Sequence, residues 1–135
     1  MVDYVLTYVF NKSFDKVLLI TKERPDWQKG LLNGIGGKIE ENETPIEAIK
    51  RELLEESGIN VPEENFCFLQ EHEFKDCKLY VFYTSISPMF FTSKTDEKVT
   101  IYNVDDVIID TKLKLVNGVI EDILAIIDNH AIINC

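Results

Sequence analysis

The stretch RELLEESGI, residues 51–59, spaces Glu52, Glu55 and Glu56 as i, i+3 and i+4. On a helix those carboxylates share one face, within an arc of about 100°. Like charges at that spacing repel by on the order of 0.2–0.5 kcal/mol per pair in an isolated helix. A compensating positive charge is therefore expected close by. Three hard oxygen donors on a rigid element also suit Mg²⁺ or Mn²⁺, which prefer carboxylates, carbonyls and water. For any single glutamate in so acidic a chain, a solvated acidic face is the alternative, and the segment just upstream decides the weighting.

The helix that must carry these groups is specified locally. Thr44-Pro45-Ile46-Glu47 combines an N-cap threonine, a proline at the first helical position and a glutamate at the third, which is a capping box with a proline start. Gly58 supplies the left-handed residue that ends a helix. The expected helix runs from Pro45 to Ser57. Its apolar stripe of Ile46, Ile49 and Leu53 lies beside the acidic face, and Ala48 among the carboxylates leaves room for something to approach.

At 135 residues the chain reads as one domain, 1–135, able to build a core without disulfides or a structural metal. Its net charge is −10, and no run of Lys or Arg forms a patch to track a phosphate backbone, so duplex nucleic acid is disfavoured as a partner. A phosphorylated small molecule still fits, provided divalent cations screen the site. Cys67, Cys77 and Cys135 are odd in number and widely spaced, matching neither a zinc knuckle nor a disulfide framework, and read as thiols of a reducing compartment. MVDYVLTYVF has no basic leader region and no apolar run approaches a membrane span. The expectation is a cytoplasmic protein with no membrane partner; a homodimer is left open.

Residues 2–10 and 16–21 read as strands joined by the polar NKSFD, followed by an irregular stretch, KERPDWQKGLLNGIGG. After the helix, NFCFLQEHEF and KLYVFYTSI read as two strands joined at Lys75-Asp76-Cys77, SPMFFTSKTDE as a loop, and KVTIYNV as a short strand. Helical spacing of Val116, Val119, Ile120, Ile123, Leu124 and Ile127 marks a terminal helix from about Lys114 to Asn129. Strands interrupted by one central helix and closed by another indicate an α+β fold, an α/β/α sandwich around a mixed sheet.

From Gly37 to Ile59 the chain runs Gly37, five residues, Glu43, seven residues, Arg51-Glu52, an aliphatic, one residue, Glu55-Glu56, one residue, Gly58 and an aliphatic. This resembles the Nudix hydrolase signature at every fixed position, and the strand order around it is similar to the Nudix fold. The resemblance implies that Glu52, Glu55 and Glu56 are the catalytic, metal-binding carboxylates, with the Gly37 carbonyl as a further ligand. It also implies that metal-activated water cleaves a diphosphate linkage. Either Glu52 or a loop carboxylate is left to take the proton.

Arg51 and Glu43 read as an ion pair bracing the loop against the helix. Gly36 and Gly37 are expected to let the chain turn closely past the phosphates, and Lys38 is a candidate phosphate contact. Glu97, in SKTDEKV, matches the loop position where some family members carry another metal-binding or basic glutamate, with Asp96 as the alternative. Glu71 and Glu73 are weaker candidates, His72 reads as structural or solvent-facing, and no role is expected for His130.

KGLLNGIGGK, residues 29–38, is similar to the stretch that precedes the signature in Nudix enzymes sanitising oxidised purine nucleoside triphosphates. There an asparagine matching Asn33 reads the base. Leu32 stands where an aromatic is common, and Asn117, at the start of the terminal helix, replaces the later base-pocket residues of the mammalian members. Trp27, Phe90 and Phe91 are open between packing and base stacking. The implied activity is Mg²⁺-dependent hydrolysis of a small nucleotide, favouring a (deoxy)nucleoside triphosphate cleaved to monophosphate and pyrophosphate. ADP-ribose, a dinucleotide or a capped RNA end is the runner-up, and a non-catalytic nucleotide sensor is disfavoured by the intact glutamates.

Overall fold

The computed structural model describes residues 2–133, with side chains described through Asn129. Cys135 and the side chain of His130 lie outside the described residues. The strands are β1 (Tyr4–Phe10), β2 (Lys16–Thr21), β3 (Leu32–Asn33), β4 (Ile35–Lys38), β5 (Cys67–Glu73), β6 (Lys78–Ser85) and β7 (Val99–Asn103). The helices are α1 (Pro45–Ser57), α2 (Val104–Ile109) and α3 (Val119–Ile133).

All seven strands form one mixed sheet, in which β1 and β6 run parallel and the other pairs antiparallel. Near their connecting turn β1 and β2 pair through Val9 with Leu18 and Phe10 with Val17. Beyond that β2 pairs with Leu32 and Asn33, while β1 pairs with Ile35 through Lys38. The chain from 32 to 38 thus changes partner at Gly34. A Cβ at Gly34 would lie 2.8 Å from the Thr7 carbonyl oxygen, which explains the glycine.

Alternation along the central strands divides the core in two. Leu6, Tyr8, Phe10, Val17, Leu19, Val81 and Tyr83 face α2 and α3, whereas Val5, Val9, Leu18, Ile20 and Phe82 face α1. A period of two with both sets buried is the pattern of a sheet covered on both faces. The expected α/β/α sandwich is therefore present.

Helix α1 has the expected bounds and caps: Thr44 Oγ1 accepts from Glu47 N–H, Glu47 returns the bond to Thr44 N–H, and Gly58 sits at φ 76°. Three expectations need correction. The irregular glycine stretch contains β3 and β4, so Gly36 and Gly37 lie in a strand rather than in a turn. The terminal helix begins at Val119 instead of Lys114, because Leu32 N–H donates to Lys114 O, Val116 N–H donates to Leu32 O, and Gly118 at φ 98° breaks the helical path. Finally, Cys67, expected as a thiol, is disulfide-bonded, whereas Cys77 is free.

Leu53 on α1 is fully buried and its neighbour Leu54 is 45% exposed. Leu53→Ala is expected to lower the unfolding free energy by about 2–5 kcal/mol, through lost transfer energy and the cavity left behind. Leu54→Ala should stay within about 0.5 kcal/mol, as surface substitutions do. Urea unfolding measures both, and equal losses would contradict this packing.

Candidate active site

The cation that the carboxylate triad calls for is Arg51, from the same helix. Its Nε donates to Glu43 Oε2 at 2.7 Å and its Nη2 to Glu43 Oε1 at 2.9 Å, a forked pair tying the loop before α1 to the helix. Nη2 also donates to the Lys38 carbonyl at 3.0 Å, and Nη1 to Glu52 at 2.8 Å and Glu55 at 3.2 Å. One planar guanidinium thus joins the end of β4, the loop and two of the three glutamates. The hydrogen bond from Arg51 holds the Glu43 carboxyl below the usual carboxylate range and pushes the Arg51 pKa up. The expected Arg51–Glu43 brace is thus observed.

Glu56 has no such relief. It is 7% exposed, and its Oε2 is buried without a hydrogen-bond partner. Burial first, then the charge of Glu52, pushes its carboxyl up to about 8, with Glu97 and Glu55 adding and Lys22 opposing. Burial also raises Glu52, against the opposing contact from Arg51.

Glu97 reaches this patch from the loop before β7. That loop is fastened to the end of α1 by Lys94 N–H on Glu56 O and Thr92 N–H on Ser57 O, both at 3.0 Å. Glu97 is buried at 5% exposure, with Lys22 Nζ donating to Oε1 at 3.1 Å and the Glu23 and Arg24 N–H groups donating to Oε2. Asp96, the alternative, is exposed and paired with Arg24. Lys22 and Arg24 had no signal in the sequence as partners of Glu97. They meet it because Thr21 N–H bonds Lys98 O where β2 runs beside β7.

The glycines close the arrangement. A Cβ on Gly37 would meet the Glu52 carboxylate at 2.6 Å, and one on Gly36 would lie 1.9 Å from Val5 O. The Glu52 carboxylate therefore rests against the Gly37 main chain, with Gly36 needed for the close approach of β4 to β1. Among the described residues, no three His, Cys, Asp or Glu side chains already converge as a ligand set, since Arg51 holds Glu52 and Glu55 while Lys22 holds Glu97. The donors still fit a hard divalent cation. All are oxygens, and the buried unpartnered Glu56 Oε2 is the kind of group that such an ion satisfies.

The base-reading candidates lie at the other end of the 32–38 chain. Asn33 Oδ1 accepts from its neighbour's Gly34 N–H at 2.8 Å, so its carbonyl serves the strand break. Asn117 is exposed, two residues before α3, on a segment hydrogen-bonded to Leu32. The Lys38 side chain is exposed. Trp27 and Phe90 are 68% and 80% exposed, which removes core packing as their role, whereas Phe91 packs against the α1-side core. Glu71 and Glu73 are exposed on β5, and His72 stands 3.6 Å from the buried Asp122, a residue that no motif singled out.

The chain belongs to the NUDIX family: the NUDIX domain model matches residues 2–116. It is 52% identical over 46 residues to the mouse (Mus musculus) oxidized purine nucleoside triphosphate hydrolase, covering 34% of this chain and 29% of that protein. To the zebrafish (Danio rerio) protein of the same name it is 38% identical over 82 residues, covering 56% of this chain and 52% of that protein. It thus spans about half the length of these curated relatives or less. Among solved structures, one from a structural and functional study of MutT from Aliivibrio salmonicida and Vibrio cholerae superposes with a TM-score of 0.77 at 20% identity, covering 92% of this chain and 97% of that one. That likeness shows the fold.

The raised carboxyl of Glu56 makes metal-free stability depend on pH. A carboxyl whose folded pKa lies above its unfolded value near 4.5 binds more protons when folded, so this contribution is full below that value and is lost as pH rises toward about 8. In EDTA, wild-type melting temperature is expected to fall across that window, and Glu56→Gln should flatten the slope. Parallel curves for the two proteins would show that Glu56 is not the group responsible.

Proposed function

We propose that this chain hydrolyses the diphosphate linkage of a nucleotide with a divalent cation, and that its substrate is a purine (deoxy)nucleoside triphosphate cleaved to monophosphate and pyrophosphate. The observation that carries the reading is Glu56, a buried carboxylate with an unpartnered oxygen, set among Glu52, Glu55 and Glu97. Placing like charges around a buried carboxylate is destabilising without a cation. The names of the mouse and zebrafish relatives support the substrate class.

Glu52, Glu55 and Glu56, with the Gly37 carbonyl and Glu97, would hold Mg²⁺ or Mn²⁺. A divalent ion held by these residues would supply charge neutralisation of the diphosphate and a water activated near neutral pH. Arg51 fixes Glu52 and the 38–43 loop, so the donors are placed before substrate arrives. Lys22 and two main-chain N–H groups keep the Glu97 carboxylate oriented. Gly36 and Gly37 keep the strand open to close approach, and Lys38 lies at the end of the same strand to meet phosphate. At the base, the Asn33 carbonyl already holds Gly34 N–H, leaving its Nδ2 as a donor toward an acceptor on a purine edge.

Incubation with Mg²⁺ and a panel of canonical and oxidised nucleoside triphosphates, ADP-ribose, dinucleoside polyphosphates and capped RNA, with products resolved, tests the substrate class. Turnover confined to ADP-ribose, dinucleotides or RNA ends would replace the triphosphate reading, and no turnover at all would leave a binding protein. Glu55→Gln and Glu56→Gln are expected to lower kcat at least about a hundredfold while the fold persists; unchanged kcat would remove the mechanism. Asn33→Ala should reduce kcat/KM for the preferred purine by about 1–3 kcal/mol and affect poor substrates less. A uniform loss across the panel would make Asn33 a residue of the strand break alone.

A further inference from the structure

The face of α3 that packs on the sheet carries Val119, Ile123 and Ile126, all buried, and Asp122 lies in the same stripe at 4% exposure. A carboxylate in such a place is costly unless donors satisfy it, and an aliphatic side chain would serve packing as well or better. Here the donors come from two separate strands. The Tyr8 hydroxyl of β1 donates to Asp122 Oδ2 at 2.9 Å, and Gln70 Nε2 of β5 donates to Oδ1 at 2.8 Å. His72 of β5 stands 3.6 Å from the same Oδ1. Apolar contacts are non-directional and would let the helix slide or roll. Hydrogen bonds with fixed angles from two strands fix how α3 is seated and rotated on the sheet.

Asn117 lies two residues before α3. On one side of it, Val116 N–H donates to Leu32 O at 2.9 Å; on the other, Asp122 N–H donates to Gly118 O at 2.9 Å. Asn117 is therefore held between a residue bonded to β3 and a residue bonded to Asp122. Leu32 is the immediate neighbour of Asn33, so the two asparagines flank the same short contact between β3 and the 114–116 segment. The Asp122 anchor belongs to the core on the α3 side of the sheet, whereas α1 and its glutamates pack on the other side.

We propose that Asp122 is a positioning residue that sets base selectivity: bonded to β1 and β5, it holds Asn117 beside Asn33 so that the two amides read one nucleobase. This rests on the nucleotide reading of the site. Because the anchor and the α1 glutamates are on opposite faces, selectivity and bond cleavage are separable by mutation.

The test compares wild type with Asp122→Leu, with Tyr8→Phe, and with the paired exchange Gln70→Glu plus Asp122→Asn, which swaps donor and acceptor and restores the bond between them. Asp122→Leu is expected to raise KM for the preferred purine triphosphate about tenfold with kcat within about twofold, and to erode discrimination against pyrimidine triphosphates by the same factor. Tyr8→Phe should move both in the same direction by less, and the paired exchange should recover most of the loss. In ¹⁵N spectra without nucleotide, the Asn117 amide resonances should shift in Asp122→Leu and return in the paired exchange. A lower melting temperature with unchanged discrimination, or Asn117 resonances that do not move, would make Asp122 a packing anchor and overturn the inference. If wild type cleaves no member of the panel, the nucleotide reading fails by itself, and base selectivity fails with it. The Asn117 resonances then still report whether Asp122 positions that residue.

Discussion

The arrangement depends on electrostatic repulsion among Glu52, Glu55, Glu56 and Glu97, gathered where α1, the end of β4 and the loop before β7 meet. On an exposed helix the i, i+3, i+4 spacing costs only a few tenths of a kcal/mol. Burial changes the scale, since two unit charges about 4 Å apart interact by about 4 kcal/mol at an effective dielectric constant of 20. Arg51 offsets this for Glu52 and Glu55, and Lys22 for Glu97. Glu56 is left with burial dominating and its proton held. Two built-in cations thus serve three of these four carboxylates besides Glu43, and Glu56 is the one for which an added cation does most.

The rest of the fold supplies the rigidity this requires. A capping box and a left-handed glycine delimit α1 to the residue, and Ile49 and Leu53 fasten it to the sheet. On the opposite wall, Gly36 and Gly37 let β4 approach both β1 and the Glu52 carboxylate more closely than any side chain permits. Substituting either glycine would push apart groups whose separation decides whether they share a cation.

What was legible in the sequence was whatever is encoded within a turn or two of chain. Thr44, Pro45, Glu47 and Gly58 specify α1 among themselves, and Arg51 meets Glu43 and Glu55 from eight and four residues away. The partners of Glu97 and Asp122 were not legible, because Lys22 and Tyr8 lie 75 and 114 positions distant and meet them only once the sheet is ordered. The one local hint was a carboxylate at Asp122 inside an apolar stripe. The terminal helix was read too long for the same reason: Leu115 and Val116 have helical spacing, yet Leu32 offers them a strand partner. Helix α2 was missed because six residues, Val104–Ile109, bury only Val104 and Val107 and continue the β-branched composition of β7.

The central claim is that the α1 carboxylates form a site completed by a divalent cation, and metal-dependent stability without substrate tests it most directly. A ligand that binds only the folded state at a hundred times its Kd adds about 2.7 kcal/mol. The melting temperature of wild type is therefore expected to rise with Mg²⁺ or Mn²⁺ at constant ionic strength, and that of Glu56→Gln to stay nearly flat. A wild-type melting temperature indifferent to either metal, or an equal rise in both proteins, would contradict the account.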